Sequence, residues 1–175
     1  MELKEISIQV ASEFDAAKLE ILAENAFRSA FAHLNERDNI EKYIQQSFTE
    51  AQIKFEIRDS ASIFFIARIG DIWAGYAKLH QGAPPECVTQ LPAIELARLY
   101  AQQAYVGCGI GSELIKTCVN HAKKEGFSSI WLGSWKENSR ANAFYSKMQF
   151  DIVGRTFFDL GSEIQEDFVF KRSLL

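Results

Sequence analysis

Across residues 5–11 the apolar positions Ile6, Ile8 and Val10 alternate with polar ones, the period of a half-buried strand. The period then changes. Over residues 13–34, Ala16, Leu19, Leu22, Ala23, Ala26, Phe27, Ala30 and Phe31 recur at helical spacing, with Asp15 near the start, so a helix with one buried stripe is predicted. A second helical stretch covers residues 38–48 through Ile40, Tyr43 and Ile44. Thr49 reads as the N-cap of a third helix around Ile53, Phe55 and Ile57.

Residues 62–69 and 72–80 are β-rich runs on either side of Gly70-Asp71, the composition of a tight hairpin turn. Gly82-Ala83-Pro84-Pro85-Glu86 breaks the pattern, and residues 93–101 resume as a strand through Ile94, Leu96, Leu99 and Tyr100. A glycine-rich turn ends that strand. Ile110, Leu114, Ile115, Cys118, Val119 and Ala122 then have helical period, Lys123 and Lys124 fall in the last turn, and Gly126 caps the helix. Residues 129–133 predict a short strand, 139–148 a helix, and 150–160 and 164–171 two final strands joined near Gly161-Ser162. No linker or repeat interrupts the series, so residues 1–175 read as a single domain.

With 47% hydrophobic residues and 3 prolines in 175, the chain has the material for one packed core rather than a disordered or repetitive one. Nineteen Lys and Arg against 23 Asp and Glu give a net charge of -4, which offers no basic field to nucleic acid. The longest apolar runs, such as Ile63-Phe64-Phe65-Ile66-Ala67, are strand-sized, so no membrane span is expected. The opening Met-Glu-Leu-Lys-Glu lacks the apolar region of a signal peptide, and a cytoplasmic location is expected. Cys87, Cys108 and Cys118 have unrelated spacings, and His33, His80 and His121 lie far apart. Neither a disulfide framework nor a metal site is expected from them.

The segment Tyr105-Val106-Gly107-Cys108-Gly109-Ile110-Gly111-Ser112 lies between a strand and a helix, where a loop can cradle an anion. Glycines let the backbone approach closely, and the free N–H groups of a helix N-terminus aim donors and partial positive charge at the ligand. No Gly-Lys-Ser/Thr follows, which rejects a nucleotide P-loop. A dinucleotide fold would carry a carboxylate near the end of the next strand, which instead reads Trp131-Leu132-Gly133. A plain strand-to-helix turn is the bland alternative. Within the loop, Cys108 reads as a tolerated small side chain.

A second motif changes the balance. Asn138-Ser139-Arg140-Ala141-Asn142-Ala143-Phe144-Tyr145, together with the glycine loop, resembles the GCN5-related N-acetyltransferase (GNAT) superfamily over nearly the whole chain. Pro84-Pro85-Glu86-Cys87-Val88, residues 94–100 and Trp131-Leu132-Gly133-Ser134-Trp135 further resemble the bacterial PaiA-type spermidine/spermine acetyltransferases. Val106 stands where the superfamily usually has Arg or Gln, removing a side-chain partner near the pyrophosphate but leaving the backbone donors. Gln149 stands where Gly usually ends the following helix, and a left-handed cap there costs about 1 kcal/mol.

The resemblance implies an α/β fold. Its central sheet is mixed but mainly antiparallel, flanked by helices, and splayed where strands 93–101 and 129–133 run parallel. Acetyl-CoA is the implied cosubstrate, with no metal, held by Leu99, Tyr100, Ala101, Val106, Gly107, Cys108, Gly109, Ile110, Gly111, Ser112, Asn138 and Tyr145. Acyl transfer to an amine needs a base, because an alkylammonium has a pKa near about 10.4. Glu95, flanked by Ile94 and Leu96, fits that need, while an exposed strand glutamate is the equal alternative. Tyr145 occupies the superfamily's position for the acid that protonates the departing thiolate; by itself it reads as a packing aromatic. Asn138 reads as a helix N-cap, a pantetheine contact, or both.

The expected activity is direct acetyl transfer to a primary amine, with a polyamine leading. Acetylation of a protein or peptide amine, and a noncatalytic acyl-CoA sensor, are the alternatives. Glu36, Asp38, Glu41 and Glu86 lie in segments the resemblance places near the acceptor, and Phe27, Phe31 and Tyr43 read as core with a lining role open. Neither nucleic acid nor membrane is an expected partner, and a homodimer is left open.

Overall fold

The computed structural model describes residues 5–175. Residues 1–4, most of the stretch read for a signal peptide, lie outside the described residues. In chain order the elements are β1 (Ile6–Val10), α1 (Ala16–Phe31), α2 (Arg37–Ser47), α3 (Glu50–Arg58), β2 (Ser62–Ile69), β3 (Ile72–His80), β4 (Ala93–Ala101), α4 (Ile110–Lys124), β5 (Ser129–Trp135), α5 (Ser139–Lys147), β6 (Asp151–Leu160) and β7 (Glu163–Ser173). Short 3-10 turns, Glu13–Asp15 and Gln103–Tyr105, precede α1 and α4.

Local chemistry sets many of these boundaries. Thr49 Oγ1 accepts from the Gln52 N–H at 3.2 Å, capping α3 as its residue type predicts. At the end of α4 the Phe127 N–H reaches the Ala122 carbonyl at 3.0 Å and the Gly126 N–H reaches Lys123 at 3.1 Å, the paired bonds of a Schellman ending. Gln149 adopts φ 67° after α5, the left-handed conformation expected there.

Seven strands form one sheet in the order β1-β2-β3-β4-β5-β7-β6. Every pairing is antiparallel except β4 with β5, which are parallel. Those two strands share register only at Ala93, Ile94 and Glu95 against Ser129, Ile130 and Trp131. Beyond that point β4 follows β3, with an extra residue at Ala97, while β5 follows β7. The sheet therefore opens into a wedge, as expected. β5 runs to Trp135, further than its composition predicted, because Gly133, Ser134 and Trp135 complete their pairing with Val169, Phe168 and Asp167.

The two sheet faces bury different helices. One face packs Leu79, Ile94, Leu96, Ile130, Leu132 and Phe170 against α4, with Phe144 and Tyr145 of α5 at its margin. The other packs Phe64, Ile66, Trp73 and Tyr76 against the apolar stripes of α1, α2 and α3. Phe27 stacks on Tyr43 at a ring separation of 4.8 Å within that second core. Alternation along β4 sends Ile94 and Leu96 to the α4 face and Glu95 to the other.

Candidate active site

The chain leaves β4 at Ala101, makes a 3-10 turn, and enters α4 through two left-handed residues, Gly107 at φ 84° and Gly109 at φ 89°. Only glycine takes that conformation routinely, so the loop depends on these residues. The Glu113 N–H makes the first helical bond, to Gly109 at 3.0 Å. The N–H groups of Ile110, Gly111 and Ser112 precede it, and among the described residues none of these, nor Gly107 or Gly109, has an acceptor. Such a loop can cradle an anion, with the partial positive charge of a 15-residue helix behind it.

The cradle opens into a cavity of about 1240 Å³ filling the wedge between β4 and β5. Its walls include Glu95, Leu99, Tyr100 and Ala101 from β4, Val106, Gly107, Gly109, Gly111 and Ser112 from the loop, and Asn138 and Tyr145 from α5. The sequence-expected residues thus converge on one space, with two exceptions of side-chain placement. Cys108 is exposed outside the cavity, and Ile110 is buried beneath the loop in the α4 core. Gly111 has a packing reason of its own: a Cβ there would lie 3.0 Å from Phe144 Cζ, so its absence lets α4 and α5 approach.

Asn138 Oδ1 accepts from the Ala141 N–H at 3.2 Å, the N-cap its position predicted, and also lines the cavity. Asn142, which sequence reasoning did not single out, ties α5 to β5. It accepts from Ser134 Oγ at 2.7 Å and donates to the Trp135 and Lys136 carbonyls at 3.2 and 3.1 Å. Tyr145 is fixed by three aromatic neighbours, Phe144, Phe150 and Phe170, with ring separations of 5.5, 6.1 and 5.7 Å. Burial raises its pKa, so the hydroxyl stays protonated at neutral pH.

Glu95 is half-buried, and burial raises its pKa against the opposing pull of His80, Lys78 and Arg98. Beneath it lies a buried ionic cluster that sequence reasoning missed. Arg98 donates to both oxygens of Glu56 at 2.8 and 3.0 Å, and Lys78 Nζ stands 3.0 Å from Glu56. Burial pushes the Glu56 carboxyl up, but the two cations hold it below its ordinary value. Two positive charges share one carboxylate, leaving an excess beside Glu95. No local motif signals this cluster, because its members sit on α3, β3 and β4.

The acids expected near the acceptor are elsewhere. None of Glu36, Asp38, Glu41 and Glu86 lines the cavity; Glu41 is paired with Arg28 and the other three are exposed. The lining acids are Glu95, Glu137 and Asp167. Phe27, Phe31 and Tyr43 do reach the cavity wall while packing with the core. His80 bonds Ser62 Oγ at 2.9 Å and His121 packs on Phe65, while His33 lines the cavity mouth. Among the described residues no cluster of three or more His, Cys, Asp or Glu has metal-ligand geometry, and no helix is long and apolar enough to cross a membrane.

Comparison with known proteins agrees with this fold. The model of the acetyltransferase (GNAT) family matches residues 26–150. An uncharacterized N-acetyltransferase encoded in the pepI 3' region of Lactobacillus delbrueckii subsp. lactis is 24% identical over 170 residues, covering 97% of this chain and 98% of the relative. An uncharacterized N-acetyltransferase of Mycobacterium tuberculosis is 28% identical over 161 residues, covering 92% of this chain and 99% of its own. Among solved structures, the PaiA N-acetyltransferase of Thermoplasma acidophilum in complex with coenzyme A superposes with a TM-score of 0.80 at 23% identity, over 97% of this chain and 99% of that one.

Proposed function

The chain belongs to the GNAT acetyltransferase family, and from that premise we propose that it transfers the acetyl group of acetyl-CoA directly to a primary amine of a linear polyamine. The observation that carries the reading is one continuous cavity lined by the glycine cradle and by acids and aromatic rings. The PaiA enzyme of Thermoplasma was crystallised with coenzyme A, and the free N–H groups of Gly107, Gly109, Ile110, Gly111 and Ser112 supply the donors a pyrophosphate needs here. Val106 contributes no charge to that contact, so backbone and helix dipole carry it.

Acetyl-CoA supplies an activated acyl group. The chain supplies the rest. Glu95, with its raised pKa, takes a proton from the acceptor ammonium, directly or through water, because only the neutral amine is nucleophilic. Backbone N–H groups near Leu99 to Ala101, at the open end of β4, face the carbonyl oxygen as charge develops on it. Tyr145, held protonated by burial, gives its proton to the departing sulfur. Asn138 borders the path of the pantetheine arm.

A thiol-release assay across spermidine, spermine, aminoglycosides, amino acids and lysine peptides tests the acceptor. The highest kcat/KM is expected for the polyamines, with an acceptor KM that rises with ionic strength, since screening acts over about 8 Å at physiological salt. An enzyme that turns over a peptide and ignores polyamines would overturn the substrate while leaving the acetyltransferase activity intact.

A further inference from the structure

The three cavity acids differ in what balances their charge. Glu137 is exposed to solvent, and Glu95 faces Lys78, Arg98 and His80. Asp167 is 8% exposed, lines the cavity, and among the described residues neither joins an ion pair nor accepts a side-chain or backbone hydrogen bond. A buried carboxylate without a protein partner is costly, and an ordered water or a ligand entering the cavity can complete it.

The surroundings of Asp167 are built to keep it open. It stands on β7 opposite Trp135 of β5 and Thr156 of β6. Its Oδ2 leans over Gly133, where a Cβ would lie 3.0 Å away. A side chain at position 133 would press on the carboxylate and make it shift. Tyr43 of α2 lines the same cavity; burial raises its pKa, and the Asp167 charge adds a smaller push in the same direction. Trp135, level with Asp167, and Phe158 line the same cavity, flat surfaces suited to an ammonium or its methylene chain.

Register separates Asp167 from the reacting end. Glu95 is level with Trp131, whereas the Asp167 carboxylate lies over Gly133, about 7 Å further along β5 and across the wedge from β4. One acid at the reacting amine and another further along is the pattern a linear amine with two separated charges fits.

We infer that Asp167 binds a second ammonium group of the acceptor, not the one that is acetylated, and so selects dicationic over monocationic amines. This rests on the amine-acceptor reading above. Asp167 is a specificity residue, and Glu95 and Tyr145 carry the chemistry. Burial pushes the Asp167 carboxyl up to about 6, so it is ionised and available at neutral pH yet gains from any cation that approaches.

The test compares butylamine, 1,4-diaminobutane and spermidine in full-length wild type, Asp167→Asn and Thr156→Lys. The last variant supplies a built-in cation from the neighbouring strand. Wild type is expected to prefer the dications by about 10-fold or more in kcat/KM, mainly through KM. Both variants are expected to lose that preference, read as the dication-to-butylamine ratio of kcat/KM, while keeping the acetyl-CoA KM, which also reports that they are folded. Preference retained in Asp167→Asn overturns the inference. If wild type acetylates none of these amines but does acetylate a lysine peptide, the polyamine reading fails. The same variants are then compared on peptides with and without a second basic residue. Loss of a preference for the second charge upholds Asp167, and an unchanged or absent preference overturns it.

Discussion

At the α4 end of the cavity the groups available to a ligand are backbone N–H donors of one short loop, Gly107, Gly109, Ile110, Gly111 and Ser112. At the β7 end they are the side chains of Tyr43, Glu95, Trp131, Trp135, Phe158 and Asp167, drawn from α2, β4, β5, β6 and β7. The first end relies mainly on backbone groups whose placement depends on the glycines. The second end is defined by side chains alone. A family can therefore hold one cosubstrate by a common backbone device while each member sets its acceptor by substitutions on neighbouring elements. Charge follows the same division. The cradle offers positive potential from a helix end, whereas the far side holds a carboxylate, Asp167, that has no cation partner among the described residues.

Tyr145 is the exception at the α4 end, a side chain placed by three rings, and its removal should have the largest effect. Tyr145→Phe should lower kcat about 1,000-fold, within the usual range for general acid catalysis, with little change in acetyl-CoA affinity. Single-turnover kinetics matching wild type would make Tyr145 a packing residue and leave the α4 end purely a backbone site.

Gly109→Val should weaken acetyl-CoA binding about 100-fold. A β-branched residue at φ 89° is strained and brings a side chain to the cradle. The division between the ends predicts that acceptor KM moves far less. Calorimetry for acetyl-CoA alongside acceptor kinetics reads both, and equal losses for the two ligands would erase the division.

The smallest effect concerns stability and has the opposite sign to function. The folded protein holds the Asp167 proton to about pH 6, above the ordinary carboxyl value of 3.8, so the native state loses stability as pH rises between those values. Above about pH 6 the penalty is complete, on the order of 3 kcal/mol. Asp167→Asn should therefore melt roughly 6 °C higher than wild type at pH 7.5. The gap should narrow toward pH 4. Thermal melts across that range check it, and a gap that is absent or independent of pH would show that Asp167 is already paired in the free protein.

Much of the molecule was legible in its residues because the governing physics is short-ranged. The hairpin turn at Gly70-Asp71, the Thr49 cap, the Gly126 ending and the stripes of α1 and α4 each depend on neighbours within one or two turns. The cradle and the Asn138 to Tyr145 helix belong to the same class, and both stand where the sequence put them. The polar side of the cavity obeyed a different rule. Glu36, Asp38, Glu41 and Glu86 were plausible from position in the chain, yet they face away from the cavity or pair elsewhere. Gln165-Glu166-Asp167 is an unbroken polar run, so periodicity does not say which members point inward. Pairing of β7 with β5 and β6 decides it: Gln165 and Asp167 are buried, while Glu166 faces Lys136 and Arg155. A slip of one residue would reverse all three. Likewise Glu56, Lys78 and Arg98 become a charge cluster only when α3 lies across β3 and β4. The backbone elements follow from local sequence because their hydrogen bonds close within a few residues. Which side chains share the cavity follows from strand order and register, which distant segments set together.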